Sequence, residues 1–138
     1  MVNSMDSLEG RKTIKFKSKL KFTLSEAEHQ EKIFNWAKYV PELKWMFAVP
    51  NGGYRRPLEA LRFKKQGVKA GVSDIFLPLP RGGYHGLFIE LKVGKNRPTM
   101  NQLDFLADME KEGYQCAICY GSDEAIKTIN AYIRQKNN

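Results

Sequence analysis

A Glu-x-Lys triplet inside an apolar run is the part of this sequence most able to do chemistry. Glu90 and Lys92 are the two charged residues within residues 87–93, and the remaining five residues are Leu, Phe, Ile or Val. Because side chains alternate between the two faces of a strand, Glu90 and Lys92 share one face with Phe88. An unpaired buried charge is costly to desolvate, so an acid and a base placed together in a sheet indicate a functional pair.

A second acid, Asp74, stands at the head of another apolar run. Residues 80–84 read Pro-Arg-Gly-Gly-Tyr, which is typical of a turn, so the two runs are predicted to form a hairpin. Gly71 and Ser73 beside Asp74 indicate tight backbone or a bulge, which can aim the Asp74 carboxylate at the face that carries Glu90.

A third acid, Glu26, opens a predicted helix. Ser25 is a favourable N-cap and Glu28 completes a capping box, so the helix is expected to run from there to about Val40, before Pro41. At the helical period, Glu28 falls on the outer side, where capping explains it. The inward stripe consists of Glu26, Gln30, Ile33 and Ala37. Alternatively, Glu26 has no catalytic role and is present because an acid in the first turn of a helix interacts favourably with the helix dipole.

Three carboxylates and a lysine can converge if this helix packs beside the hairpin. Hard oxygen ligands suit Mg²⁺ or Mn²⁺. In phosphodiester hydrolysis such ions polarise the phosphate and activate water, while a nearby lysine offsets the developing negative charge. Glu26, Asp74, Glu90 and Lys92 therefore point to metal-dependent phosphodiester chemistry, although a Glu-x-Lys triplet alone is a common pattern.

The charge of the chain favours a polyanionic partner. Twenty-three Lys and Arg against fifteen Asp and Glu give a net charge of +8, and nucleic acid is the natural candidate. Solvation of exposed surface explains some of these charges equally well. The residues expected to contact phosphates are Arg55, Arg56, Arg62, Lys65, Lys69, Lys95 and Arg97.

The chain divides into a basic arm, residues 1–24, and one domain, residues 25–138. In the arm, Lys15, Lys17, Lys19 and Lys21 alternate with mostly apolar residues, which predicts a strand. Its lysines could guard a sheet edge, contact DNA or span a dimer. No apolar stretch approaches the ~20 residues of a membrane span, and a signal peptide is not evident, so we expect a cytoplasmic protein.

The remaining patterns predict an α/β domain whose elements follow the order αβαββαβα. Strands are expected at residues 45–49, 72–77, around Glu90 and at 115–120. Helices are expected from Pro57 to Gly67, after Pro98 with Thr99 as the cap, and from Ser122 onward. Cys116 and Cys119 fall on opposite faces of their strand, so we interpret them as small core residues and not as a redox or zinc pair.

Four motifs between Asn51 and Lys92 resemble those of a known family. The motifs are Asn51-Gly52-Gly53, Gly71-Val72-Ser73-Asp74, the stretch 81–87 and Phe88-Ile89-Glu90-Leu91-Lys92. Together they resemble the VRR-NUC domain of the PD-(D/E)xK nuclease superfamily, in the small stand-alone form of phages and bacteria, over about residues 25–133. The resemblance implies a restriction-endonuclease-like core, with a central mixed β-sheet flanked by helices.

The resemblance also assigns roles by motif. It implies that Asp74 and Glu90 are metal-binding acids, with Glu26 and the backbone carbonyl of Leu91 completing the metal site, and that Lys92 and Gln102 take part in catalysis. The family signature often has proline where this chain has Ser73.

For the whole protein, the resemblance implies a Mg²⁺- or Mn²⁺-dependent DNA endonuclease of a kind used in DNA repair. Its expected substrate is branched DNA, cut by a homodimer in the manner of Holliday-junction resolvases, because a two-fold axis matches a four-way junction. No organic cofactor and no membrane partner is expected. A nuclease acting on flaps, DNA ends or RNA, or a catalytically silent DNA-binding module, are the alternatives.

Overall fold

A computed structural model of the chain describes residues 23–51 and 55–138. The alternating lysines of the basic arm lie outside the described residues. The helices are α1 (Glu26–Ala37), α2 (Pro57–Lys65), α3 (Met100–Lys111) and α4 (Ser122–Ile133), with a short 3₁₀ helix at Pro41–Leu43. The strands are β1 (Phe47–Ala48), β2 (Ile75–Leu77), β3 (Leu87–Lys92) and β4 (Gln115–Tyr120). The predicted order of helices and strands is confirmed.

The four strands form one mixed sheet in the order β1-β2-β3-β4. β1 and β2 are antiparallel, β2 and β3 form the predicted antiparallel hairpin, and β3 and β4 are parallel. The predicted α/β class, a central mixed sheet flanked by helices, is therefore confirmed. β3 lies between two neighbours and all six of its residues are buried.

One face of the sheet forms the main apolar core. Strand residues Ile75, Leu77, Leu87, Ile89, Leu91 and Cys119 pack there against Ile33 of α1 and Ala125, Ile129 and Tyr132 of α4. The Tyr132 hydroxyl donates to the carbonyl oxygen of Leu79 at 2.6 Å, so this buried aromatic residue has a partner for its polar group. The two helices thus fix the position of β3 from one side.

The opposite face carries aromatic residues. The rings of Phe76 and Phe88 stack with centroids 4.3 Å apart, and Phe105 of α3 meets Phe88 edge to face at 5.0 Å. Glu90 and Lys92 continue this same face beyond Phe88, because they are two and four residues further along β3. The aromatic cluster therefore supports one end of the face, and the charged pair occupies the other end.

The prediction of core residues is confirmed for Cys119 and is wrong for Cys116, which lies outside the core cluster. Both cysteines are unpaired, with Cys119 buried in the main core and Cys116 half-buried on the opposite face. Burial, with a smaller contribution from Glu110, raises the pKa of the Cys116 thiol to about 11. A thiol that stays protonated is a poor nucleophile and a poor metal ligand.

Several predicted boundaries are wrong, including both ends of β1, which spans Phe47–Ala48 and not residues 45–49, and the end of α2, which is Lys65 and not Gly67. β2 begins at Ile75 and not at Val72, because the Asp74 side chain takes up the next free N–H of β3. α1 ends at Ala37, short of Val40, since the chain tightens there into i to i−3 hydrogen bonds. Both predicted capping boxes, Ser25 with Glu28 and Thr99 with Gln102, are present.

None of the described helices is both long and apolar enough to cross a bilayer.

Gly71 fixes the approach of the chain to Asp74. Its φ of +90° lies in the region that favours glycine, and a Cβ there would come within 2.5 Å of the Asn101 carbonyl oxygen at the start of α3. The predicted tight backbone beside Asp74 is confirmed at this residue.

Gly71→Ala should destabilise the protein by about 3 kcal/mol, because positive φ and a backbone clash both oppose a side chain. Gly67→Ala is the matched control. Gly67 has a φ of +95°, but no described atom lies within 4 Å of the position that a Cβ would take there. The control should lose only about 1 kcal/mol in urea unfolding, and equal losses would contradict the role of the Asn101 contact.

Candidate active site

The charged pair on β3 is the centre of the candidate site. Glu90 is 1% exposed and Lys92 is 9% exposed, and the Lys92 Nζ lies 3.3 Å from Glu90 Oε1. The predicted pairing of this acid with this base on one face is present. Two opposite charges buried side by side offset part of the desolvation cost that each would have alone.

Asp74 faces this pair across the hairpin. Ile75 pairs with Ile89 and Phe76 with Phe88, so the same register continued by one residue sets Asp74 opposite Glu90. The Asp74 Oδ2 accepts a hydrogen bond of 2.7 Å from the Leu91 backbone N–H. The carboxylate is thereby fixed to the strand that carries Glu90.

The backbone of Asp74 is held from the other side as well. Its carbonyl oxygen accepts a hydrogen bond of 2.7 Å from the Val49 N–H, next to β1. Leu91 contacts the Asp74 side chain through its backbone N–H. Metal binding by the Leu91 carbonyl oxygen stays a prediction.

Glu26 is the first residue of α1 and approaches the same place. It is half-buried, and burial raises the pKa of its carboxyl group, with Asp74 adding to the effect and Lys92 opposing it. Glu28 is exposed and occupied in the cap, where its backbone N–H donates to the Ser25 Oγ at 3.2 Å. The structure therefore separates the two glutamates on the helix as the sequence predicts.

Glu90 has the most perturbed carboxyl group of the three. Burial, reinforced by the charge of Asp74 and opposed by Lys92, raises the pKa of Glu90 to about 7. Neither of its carboxylate oxygens has a hydrogen-bond partner among the described residues. The 3.3 Å contact with Lys92 is thus an attraction between charges, without well-directed hydrogen bonding.

These residues fit a hard divalent cation. Buried carboxylate oxygens that lack partners, beside a second acid, form the donor set that Mg²⁺ and Mn²⁺ prefer. Within residues 23–51 and 55–138, no three His, Cys, Asp or Glu side chains already stand in a metal-holding group. The charge of Asp74 raises the pKa of both Glu26 and Glu90, as expected for carboxylates that are close to one another.

Gln102 lies in the third position of α3. Its Oε1 accepts from the Thr99 N–H at 2.8 Å, and its own N–H donates to Thr99 Oγ1 at 3.3 Å. The half-buried side chain thus closes the start of α3. Its predicted part in catalysis stays a prediction.

The predicted phosphate-binding cations fall into two groups. Most are exposed, on α2, on the segments directly before and after it, and on the loop from β3 to α3: Arg56, Arg62, Lys65, Lys69, Lys95 and Arg97. Arg55 differs, because its guanidinium donates to the Pro50 carbonyl oxygen and lies over the Phe63 ring at 4.5 Å. Arg55 therefore also has a structural role that its sequence position did not indicate.

Sequence reasoning missed His29. Its Nδ1 accepts from the Ser122 backbone N–H and contacts the Ser122 Oγ, each at 3.0 Å. The neighbouring Gly121 N–H donates to the Lys92 carbonyl oxygen at 2.9 Å. α1, which carries Glu26, is thereby connected to the end of β3, and no motif in the sequence links these distant residues.

Tyr120 was missed too. It pairs with Lys92 across the parallel strands, so its side chain shares the face of the acids, and it remains 42% exposed. The period of two along β4 could have indicated this placement, once the register with β3 was known.

Comparison with known proteins agrees with this geometry. The model of the VRR-NUC domain family matches residues 15–123, well over half of the chain. The chain belongs to the VRR-NUC family. A VRR-NUC domain is a nuclease-type domain, for which DNA is the implied substrate.

A solved structure of a VRR_NUC domain protein is similar throughout. It superposes with a TM-score of 0.74 at 34% identity, over 84% of this chain and 93% of the other. No curated protein matches the chain. The family match begins at residue 15, ten residues before the resemblance was expected to start near Ser25, so it includes the lysine-rich stretch. The division into an arm and a domain at residue 25 stays a prediction.

Glu90→Gln should remove part of the pH dependence of stability. Between its ordinary pKa of 4.5 and the raised value of about 7, the folded protein holds a proton that the unfolded chain has lost. The free energy of unfolding therefore falls as pH rises through this window, by at most about 3 kcal/mol from this group. Urea unfolding at several pH values without divalent ions would measure the slope.

The variant should show a smaller loss between about pH 5 and pH 8 than the unchanged protein. Glu31→Gln, at an exposed position of α1, is the control and should keep the full slope. An unchanged slope in Glu90→Gln would contradict the raised pKa.

Glu26→Ala and Glu28→Ala separate the site from the helix cap. Glu28→Ala should lose about 1 kcal/mol of stability with little change in nuclease activity, because it removes half of the capping box. Glu26→Ala should abolish activity while keeping the cap. Cleavage assays and urea unfolding on both variants check this, and the reverse pattern would show that the wrong face was assigned.

Proposed function

We propose that this VRR-NUC protein is a Mg²⁺- or Mn²⁺-dependent endonuclease that hydrolyses phosphodiester bonds in branched DNA, acting as a homodimer on structures such as four-way junctions. The observation that supports it most is the meeting of Asp74, Glu90 and Lys92 on one face at the end of the β2–β3 hairpin. Superfamily members use an acid, a second acid and a lysine in this arrangement.

Asp74, Glu90 and Glu26 would hold the metal ion. When bound, it would polarise the phosphate and lower the pKa of a water molecule. Asp74 is oriented for this role by the Leu91 N–H, and Glu90 is kept in place by burial on a central strand. Little reorganisation of these two side chains is needed when the substrate arrives, which is the condition for electrostatic catalysis.

Lys92 supplies positive charge at the same point. Its Nζ is drawn to Glu90 in the free protein, and a phosphate near the carboxylates would offer it a second anion. Charge that develops on the phosphoryl oxygens is then stabilised by an ammonium group in a largely buried setting.

Glu90 also couples metal binding to pH. Because its pKa is about 7, a substantial fraction of the carboxyl groups are neutral at neutral pH in the absence of a cation. A metal ligand must be ionised, so binding releases this proton, and activity is expected to rise from pH 6 to about pH 8.

The preference for branched DNA is supported by size and charge. One small domain with a net charge of +8 can contact phosphates over a short duplex length only. Two copies related by a two-fold axis would set two sites on symmetrically placed strands of a junction. Recognition would rest on phosphate positions and DNA shape.

The proposal predicts cleavage that requires Asp74. The intact protein and Asp74→Ala would be compared on labelled four-way junction, flap, plain duplex and RNA, with Mg²⁺, Mn²⁺ or chelator, and nicks would be mapped. Paired symmetric nicks in the junction are expected, absent with chelator and reduced by at least about 10³-fold in the variant, while DNA affinity in Ca²⁺ stays close to normal.

Other outcomes would change the proposal. Cleavage confined to flaps, ends or RNA would keep the active site and replace the substrate. DNA binding without cleavage would indicate a silent module, against which the presence of all three acids and the lysine now argues. Unchanged turnover in Asp74→Ala would refute the site itself.

A further inference from the structure

Two leucines of α2 are exposed to solvent. Leu58 is 81% exposed and Leu61 is 49% exposed, and α2 has no buried residue, whereas each of the three other described helices has at least one. Phe63 is the half-buried residue of this helix. Two leucines exposed on one short helix are unfavourable for folding, so they call for an explanation beyond the packing of residues 23–51 and 55–138.

The leucines share their face with positive charge. At 100° per residue, Leu58, Leu61, Arg62 and Lys65 lie within one stripe of α2, because they are spaced three, four and seven residues apart. All four are exposed, and the helix carries a single acid, Glu59. The stripe therefore combines aliphatic and cationic groups, which suits a ligand with both apolar and anionic parts.

The stripe borders a groove along α2, and contacts between the flanking chain segments hold the start of this helix in place. A cavity of about 760 Å³ runs along α2 and is lined in part by Arg56, Leu58, Arg62 and Phe63. The Asn51 side chain donates to the Lys69 carbonyl oxygen at 2.6 Å, so the two chain segments that flank α2 are joined. The Arg55 guanidinium over Phe63 adds a second contact at the start of the helix.

α2 also lies in the connection that leads to the active site. It joins β1 to β2, and at the sheet end of this connection the Val49 N–H donates to the carbonyl oxygen of Asp74. The connection that carries α2 therefore begins and ends at the part of the sheet where Asp74 lies.

We propose that α2 reads the branch point of DNA, with Leu58 and Leu61 inserted against unstacked bases and Arg62 and Lys65 on the flanking phosphates. This inference rests on the proposed function and specifies the feature by which branched DNA is selected. Aliphatic side chains are known to wedge between base steps, and base pairs at an open branch point lack a stacked neighbour on one side, which lowers the cost of unstacking them. Phosphate contacts beside them fix the position of the helix.

Charge disfavours a second copy of the chain on this face. A two-fold contact through α2 would bring each Arg62 and Lys65 close to the same cations of the partner subunit. Like charges in close contact repel, whereas DNA phosphates neutralise them.

The test uses a four-way junction with 2-aminopurine at the branch, bound in Ca²⁺ so that it stays intact. Unstacking of this base raises its fluorescence. The intact protein should raise the signal, whereas L58S/L61S should not. The double variant should also lose about tenfold in its preference for junction over plain duplex, while its affinity for duplex stays unchanged.

Tyr39→Ser is the matched control. Tyr39 is a large aromatic side chain that is 86% exposed just beyond α1, at the end of that helix away from Glu26. This variant should raise the fluorescence as the intact protein does.

Three results would overturn the inference alone, with cleavage by the intact protein still present. The first is an unchanged fluorescence rise with L58S/L61S. The second is a large fall in the melting temperature of this variant, which would show that the leucines pack within the protein. The third is conversion of a dimer to a monomer by the same substitutions in light scattering, which would show that the leucines form a subunit interface. If the intact protein neither binds nor cuts any DNA, the proposed function fails first and the inference fails with it.

Discussion

The burial of the Glu90 carboxylate in the middle of a sheet is the constraint on which the rest of the site depends. A carboxylate that is 1% exposed and lacks hydrogen bonds is unfavourable unless positive charge is nearby. Lys92 supplies part of it at 3.3 Å. The raised pKa of Glu90 shows that this compensation is incomplete, and a divalent cation would complete it. The fold therefore accepts a local cost that is reduced when Glu90 is protonated and would be reduced by a bound cation.

The surrounding elements keep this costly arrangement in place. The apolar core beneath β3 and the aromatic cluster above its first half hold the strand from both faces. Asp74 stays at its position through the Leu91 N–H on one side and the Val49 N–H on the other. His29 connects α1 to the loop after β4, which in turn bonds to the Lys92 carbonyl oxygen. Each contact restrains the backbone beside a charged side chain, which lets the charges remain close.

The net charge of the protein and the local charge of the candidate site have opposite signs. The protein as a whole is strongly positive, at +8, which attracts DNA over a distance set by the salt concentration. The catalytic centre is locally acidic, with three carboxylates and one lysine, and would repel a phosphate in the absence of a metal ion. Under the proposed function, this contrast would make DNA binding and metal binding interdependent, since the cations of α2 and of the loop after β3 would bring the DNA backbone to acids that a divalent ion would neutralise.

The sequence by itself determined the element order, the hairpin, both capping boxes and the shared face of Glu90 and Lys92. These features follow from local rules: the period of two in strands, the period of 3.6 in helices, and the turn residues between them. It also indicated that Glu26 faces inward and Glu28 outward. Strand ends did not follow from the sequence, because β2 begins only after Asp74, whose side chain accepts the Leu91 N–H of β3.

Only the tertiary structure decided which distant residues meet. The register of β2 against β3 set Asp74 opposite Glu90, and the parallel register of β4 set Tyr120 beside Lys92. The contact of His29 with Ser122, the stacking of Arg55 on Phe63 and the outward turn of Leu58 likewise depend on how elements pack. Local periodicity fixes the face of a side chain on its own element. Its neighbours, and therefore its pKa and its chemistry, are set by contacts between residues far apart in the chain.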